Sequence, residues 1–133
     1  MINFLISKKN SIKNVGKADK GFSYCNTNYA LLALLIEKVS GKNYSDYLQE
    51  TFFTPLQMKH TFVYNNNRDS GKVTLSYDYR GKLIPFNFLD VVYGDKNIYS
   101  TPRDLLTWDR ALTSGLLFTQ KTLGDRKSTR LNS

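Results

Sequence analysis

Residues 26–41, NTNYALLALLIEKVSG, read as a helix of about four turns with both ends marked. Asn26 or Thr27 is placed to cap the orphan N–H groups at its start, and Gly41 to take the left-handed conformation that ends it. Leu32, Leu35, Ile36 and Val39 fall on an i, i+3, i+4, i+7 stripe, and Leu31 and Leu34 carry apolar surface beyond it. The spacing therefore predicts a helix buried on more than one side.

Working outward, a second amphipathic helix is expected from about Ser45 to Phe53, with Tyr44, Tyr47, Leu48, Thr51 and Phe52 along one side. Pro55 stops it, because proline lacks an N–H and clashes with the preceding turn. HTFVY (60–64) has strand composition, NNNRDSG (65–71) reads as a loop, and KVTLSYDYRGKLIPF (72–86) as a hairpin with Arg80 and Gly81 at its turn. A third helix starts at Thr101 as cap, with Pro102 at the first helical position and Asp104 completing an acidic capping box; Leu105, Trp108, Ala111 and Leu112 form its buried stripe. Past Leu123, GDRKSTRLNS (124–133) loses periodicity and resembles translated adapter sequence, so it is set apart as a non-native or disordered tail. Residues 1–123 are expected to form one partial domain, with no internal repeat and no linker.

Composition removes several classes. With 133 residues, 41% hydrophobic and 23% charged, the chain is neither disordered, collagen-like nor a coiled coil. One cysteine, Cys25, and one histidine, His60, exclude an internal disulfide framework and a zinc site of Cys and His alone. No cofactor is expected, and any Ser/His/Asp triad would have to use His60. The net charge of +8 sits mostly at the ends: residues 1–20 carry five lysines and one aspartate, residues 124–133 three basic groups and Asp125, and residues 21–123 a net +2. A nucleic-acid reader carries its basic stripe on a folded element, so no nucleic-acid partner is expected. No apolar run is long enough to span a bilayer, and MINFLI, with its lysines behind it, is a poor secretion signal.

The chemistry-bearing pattern is Tyr24, Cys25, Asn26 at the mouth of the first helix, in GFSYCNTNYALLALLIEKVSG (21–41), leading to YLQETFFTPLQMKHTFV (47–63). A bare YxN is uninformative, since Tyr64, Asn65, Asn66 matches it too; the helix start, the VSG ending and the PLxM turn give Tyr24 its context. A second block, GDKNIYSTPRDLLTWDRAL (94–112), agrees in order and spacing. Together these resemble the serine beta-lactamase and penicillin-binding-protein family, in its class C and related esterase branch, over roughly residues 20–123. The resemblance implies an α+β fold, here an internal fragment made mainly of the helical subdomain plus a few strands. It implies Tyr24 as general base and acid, and Asn26 orienting an SxxK lysine and the substrate amide. It further implies a small-molecule amide or ester as substrate of the parent protein, and a periplasmic, secreted or membrane-anchored location.

Acyl transfer in that family uses a nucleophilic serine in SxxK and a KTG-like strand motif. Neither is legible here. Ser100 begins SxxR, Ser11 has lysine two positions on, and no serine has lysine three positions on. Lys121, Thr122, Leu123, Gly124 has one residue too many for KTG. A phenol ionises near pH 10, so serving as a base near neutrality requires lowering it by roughly three units, about 4 kcal/mol, through nearby ammonium groups. The family pattern draws those from the two missing segments, so catalysis by this chain alone is not expected.

Other candidates are weaker. Gly21, Phe22, Ser23, Tyr24, Cys25 approaches a nucleophile elbow, but cysteine replaces the last glycine. Cys25 with His60 has the makings of a thiolate pair, yet a lone cysteine beside an apolar helix is commonly a small filler. Asp104 and Asp109, five residues apart, are expected as helix-surface or capping carboxylates, and His60 as the end of a turn. Asn43, Tyr44, Ser45 matches a glycosylation sequon at a helix start. The competing reading is a non-catalytic binding or interaction module derived from the same fold. A fragment is also expected to be marginally stable, with apolar helix faces left uncovered.

Overall fold

The computed structural model describes residues 7–8, 10–11, 23–86, 90 and 92–124, which fall into two units. One unit is Cys25–Gln120 and the other comprises the two ends. Residues 125–133 of the expected tail lie outside the described residues. In the end unit, Ser11 N–H donates to the Lys8 carbonyl at 2.8 Å, closing a turn.

Helix α1 spans Asn26–Ser40, and Gly41 ends it in the left-handed region at φ 70°, its N–H donating to the Glu37 carbonyl at 3.0 Å. Its start differs from expectation. The cap is Cys25, in extended backbone, so Asn26 is already the first helical residue and neither it nor Thr27 caps. The buried face differs too: Ala30 and Ala33 are inside, whereas Leu32, Leu35 and Val39 are 55%, 57% and 80% exposed. Ala30 and Ala33 are the most deeply covered, because close packing of backbones selects small side chains there, and of the expected stripe Ile36 alone packs partly against the core.

Gly94 shows how close that packing is. At φ 95° it lies against α1 so tightly that an added Cβ would stand 2.4 Å from the Tyr29 carbonyl oxygen and 2.9 Å from Ala33 Cβ. Gly94→Ala is expected to cost about 2–3 kcal/mol, from left-handed strain plus overpacking, read as a lower urea midpoint at unchanged slope. A change below about 0.5 kcal/mol would show that the contact is not made.

Helix α2, Tyr44–Leu48, begins one residue earlier than the spacing suggested, capped by the Asn43 side chain, which accepts from Asp46 N–H at 2.9 Å. The sequon asparagine is thus a cap. Glu37 Oε1 accepts from Tyr44 N–H at 2.9 Å and ties α1 to α2. The helix then widens into a π-turn over Gln49–Phe53, with Thr54 N–H donating to the Gln49 carbonyl at 2.9 Å. Pro55 accounts for the widening, since its ring would strike a carbonyl in a tighter turn and it supplies no N–H. The longer turn rotates Phe53 inward and leaves Thr51 exposed, against the α-helical expectation.

Strand β1, Phe62–Val63, pairs antiparallel with β2, Ile98–Tyr99, in the register Phe62 to Tyr99 and Val63 to Ile98. The 72–86 segment folds back separately through the Tyr77–Leu83 bridge. Its turn has Gly81 N–H donating to the Asp78 carbonyl at 3.0 Å and Gly81 at φ 77°, the arrangement of a type I turn closed by a left-handed glycine. The core gathers Ala33, Tyr44, Leu48, Phe53, Leu56, Met58, Val63 and Ala111, with Phe52 edge-on to Trp108 at 5.7 Å.

The expected 65–71 loop contains helix α3, Asn66–Asp69, because Asn65 caps it and Asp69 braces it. The buried Asp69 carboxylate accepts from Asn65 N–H at 2.9 Å and from Arg68 at 3.0 Å. The Arg68 guanidinium holds its pKa below the usual 3.8 despite burial. A depressed carboxylate stabilises the fold above its unfolded pKa, near 4, and that contribution is lost as pH falls through the folded value. Stability should therefore drop on acidification below about pH 4, and Asp69→Asn should flatten that limb of the pH–stability curve.

Helix α4, Pro102–Thr113, starts as expected, with Thr101 Oγ1 accepting from Asp104 N–H at 3.3 Å. Asp104, however, is neither a surface carboxylate nor the return half of a capping box. It is buried, and its Oδ2 accepts from His60 N–H and Thr61 Oγ1, both at 2.8 Å. Leu105 is 56% exposed, so the inward stripe runs through Asp104, Trp108, Ala111 and Leu112.

Candidate functional site

Ser23, Tyr24 and Cys25 form the non-helical lead into α1. Tyr24 is 64% exposed, and Asn26 is an exposed first residue of the helix. One step past the cap, a side chain does not fold back onto the N–H groups of the first turn, so the capping reading of Asn26 falls away. The Cys25 backbone supplies the entry instead, its carbonyl accepting from Asn28 N–H at 3.1 Å.

Cys25 is exposed and its thiol makes no geometric capping bond, so it is no apolar filler. The Thr27 N–H, then the Thr27 hydroxyl and the Asn28 N–H, favour the thiolate and lower its pKa. His60 is held elsewhere, by its N–H on Asp104.

The remaining serine and lysine candidates are engaged structurally. Ser100 Oγ lies 2.7 Å from Thr61 Oγ1 in the Asp104 network. Residues 121–124 are helical, whereas a KTG-like element acts from a strand. Among the described residues, no cluster of His, Cys, Asp and Glu is fit to hold a metal ion, and no helix is long and apolar enough to cross a membrane.

The loop at 92–97, whose Gly94 opens the second motif block, is the element pressed onto α1. Asn97 fixes it in a left-handed backbone at φ 74°, its amide donating to the carbonyls of Asp90 and of Val92, the latter at 2.9 Å. Within this loop Asp95 Oδ1 is buried with no hydrogen-bond partner among the described residues. The glycine was visible in the sequence; its contact on α1 was not.

Comparison with known proteins places the chain in a family. The family model described as Beta-lactamase matches residues 6–132. Penicillin-binding protein 4* of Bacillus subtilis is 32% identical over 109 residues, covering 71% of this chain and 24% of its own length. Teichoic acid D-alanine hydrolase of Staphylococcus aureus is 34% identical over 92 residues, covering 67% and 23%. The octameric penicillin-binding protein homologue from Pyrococcus abyssi superimposes with a TM-score of 0.65 at 30% identity, covering 83% of this chain and 25% of its own. The D-amino acid amidase from Ochrobactrum anthropi SV3, complexed with L-phenylalanine, gives 0.62 at 30% identity, covering 77% and 31%. The chain spans about a quarter of the length of the curated relatives it matches.

Proposed function

The chain belongs to the beta-lactamase family, and from that premise we propose that it is a section of a serine acyl hydrolase acting on amide or ester bonds, catalytically incomplete by itself. In the whole protein a serine attacks the carbonyl, an acyl-enzyme forms, and water releases the acid. Tyr24 takes and returns the proton, and Asn26 orients the attacking segment and the substrate amide. The names of two relatives, teichoic acid D-alanine hydrolase and D-amino acid amidase, make a D-aminoacyl substrate the favoured class.

The observation that carries the reading is Tyr24, Cys25, Asn26 opening a helix of 15 residues, with Asn26 not used as a cap. Incompleteness draws support from three independent features. SxxK and KTG are missing from the sequence, α1 leaves a leucine face exposed, and Asp95 Oδ1 has no hydrogen-bond partner among the described residues. Sequencing the gene on both sides and treating the longer product with a nitrophenyl ester tests it. An upstream SxxK whose serine becomes acylated is the expected result; a genuine start and stop at these ends, with no acylation, would leave a non-catalytic module instead.

A further inference from the structure

The 72–86 hairpin has an inner and an outer face. Asp78 N–H donates to the Lys82 carbonyl at 2.9 Å and Ile84 N–H to the Ser76 carbonyl at 2.8 Å, so the bridged residues Tyr77 and Leu83 form a non-hydrogen-bonded pair with side chains close together on one face. The alternate positions turn the other way. Ser76, Ile84 and Phe86 face Ile98 and Tyr99 of β2 across a small cavity, and Phe86 stacks on Tyr64 at 5.2 Å. That stack holds the base of the hairpin while Tyr77 and Leu83 point away from it.

The outer face is apolar and its tip is cationic. Tyr77 is 57% exposed and Tyr79, at the turn, 87%, with Leu75 and Leu83 exposed beside them. The Arg80 guanidinium lies over the Tyr79 ring, 5.0 Å from its centroid, and Lys82 follows two residues on. The one carboxylate of the hairpin, Asp78, is committed to the turn itself: its Oδ1 accepts from Arg80 N–H at 2.8 Å and from Lys82 N–H at 2.9 Å. Among the described residues, neither Arg80 nor Lys82 forms an ion pair.

A protein surface laid over this tip would have to take two cations out of water without partners. The boundary of an anionic bilayer makes no such demand, since tyrosine rings and leucines enter its outer layer while Lys and Arg stay at the phosphates. The chain's net charge of +8 favours approach to such a surface. We propose that the hairpin docks on a bilayer containing anionic phospholipid, with Tyr77, Tyr79 and Leu83 in the headgroup layer and Arg80 and Lys82 at the phosphates. Docking uses neither Tyr24 nor a nucleophile, so it stands or falls separately from the acyl-transfer reading.

Flotation of the 133-residue chain with vesicles of phosphatidylcholine alone, and of phosphatidylcholine with about one-third phosphatidylglycerol, tests it. Saturable binding to the anionic vesicles is expected, at least about tenfold tighter than to the neutral ones. Terminal lysines are drawn to the same vesicles, so the hairpin variants decide the matter. Arg80→Gln combined with Lys82→Gln should weaken binding by about 25-fold, about fivefold for each cation. Tyr79→Ser should weaken it by about fivefold. These side chains are exposed, so the thermal midpoint should stay in place. Tyr79→Trp should bind as the unsubstituted chain does, and its emission, measured against that of the chain whose one indole is Trp108, should move to shorter wavelength on anionic vesicles. Absence of binding, binding unchanged by the hairpin substitutions, or an indole at position 79 whose emission stays that of water in the bound chain would overturn the proposal.

Discussion

If the whole protein is the acyl hydrolase proposed above, replacing Tyr24 by phenylalanine in it is expected to lower turnover by about 100- to 10 000-fold while leaving its melting temperature in place. The hydroxyl is the only group removed, and a phenol that serves as base and acid contributes in the transition state, so kcat and kcat/KM should fall together. Stability should hold because the substitution keeps the aromatic ring and its packing. Asn26→Ala should spare the helix too, since Cys25 and not Asn26 is the cap, and should raise KM as well as lower kcat. Turnover within about threefold of the original in Tyr24→Phe would remove the residue from the proton path.

Asp104→Ala is expected to cost about 2–4 kcal/mol of folding stability, a large share of the roughly 5–15 kcal/mol a domain has. The carboxylate is 4% exposed and accepts from two groups on the approach to β1, the His60 N–H and the Thr61 hydroxyl. Thr61 keeps its 2.7 Å contact with Ser100, but the His60 N–H loses its partner and a cavity opens beneath α4. The linkage matters because Asp104 joins the start of α4 to the segment that leads into β1, on which the β1–β2 pairing depends. Urea denaturation checks the value; a loss under about 1 kcal/mol would mean that water replaces the carboxylate at no cost.

The helices were legible because their ends are written in local chemistry: Gly41 after Ser40, Thr101 and Pro102 before Arg103, and Pro55 beyond Phe53. Which face each helix buries was not. The leucines of α1 promised a broad buried surface, but burial follows from what packs alongside, and here that is Gly94 on the alanine side. The π-turn shifted the inward set from Thr51 to Phe53 because a five-residue step breaks the 3.6-residue period on which the pattern rests. Asp104 looked like a cap residue because its partners, His60 and Thr61, lie more than forty positions away in sequence. The β1–β2 pairing was hidden for the same reason, spanning 35 residues from Val63 to Ile98. For the candidate site, the motif and its helix were readable from sequence, while the role of Cys25 as cap, which leaves Asn26 for other work, needed the backbone.

Intact-mass analysis of the purified 133-residue chain after incubation with a beta-lactam or a nitrophenyl ester tests the central claim most directly. A section of a serine hydrolase without its nucleophile should keep its unmodified mass and release no burst of nitrophenol. A stoichiometric acyl adduct on any serine of this chain would contradict the account.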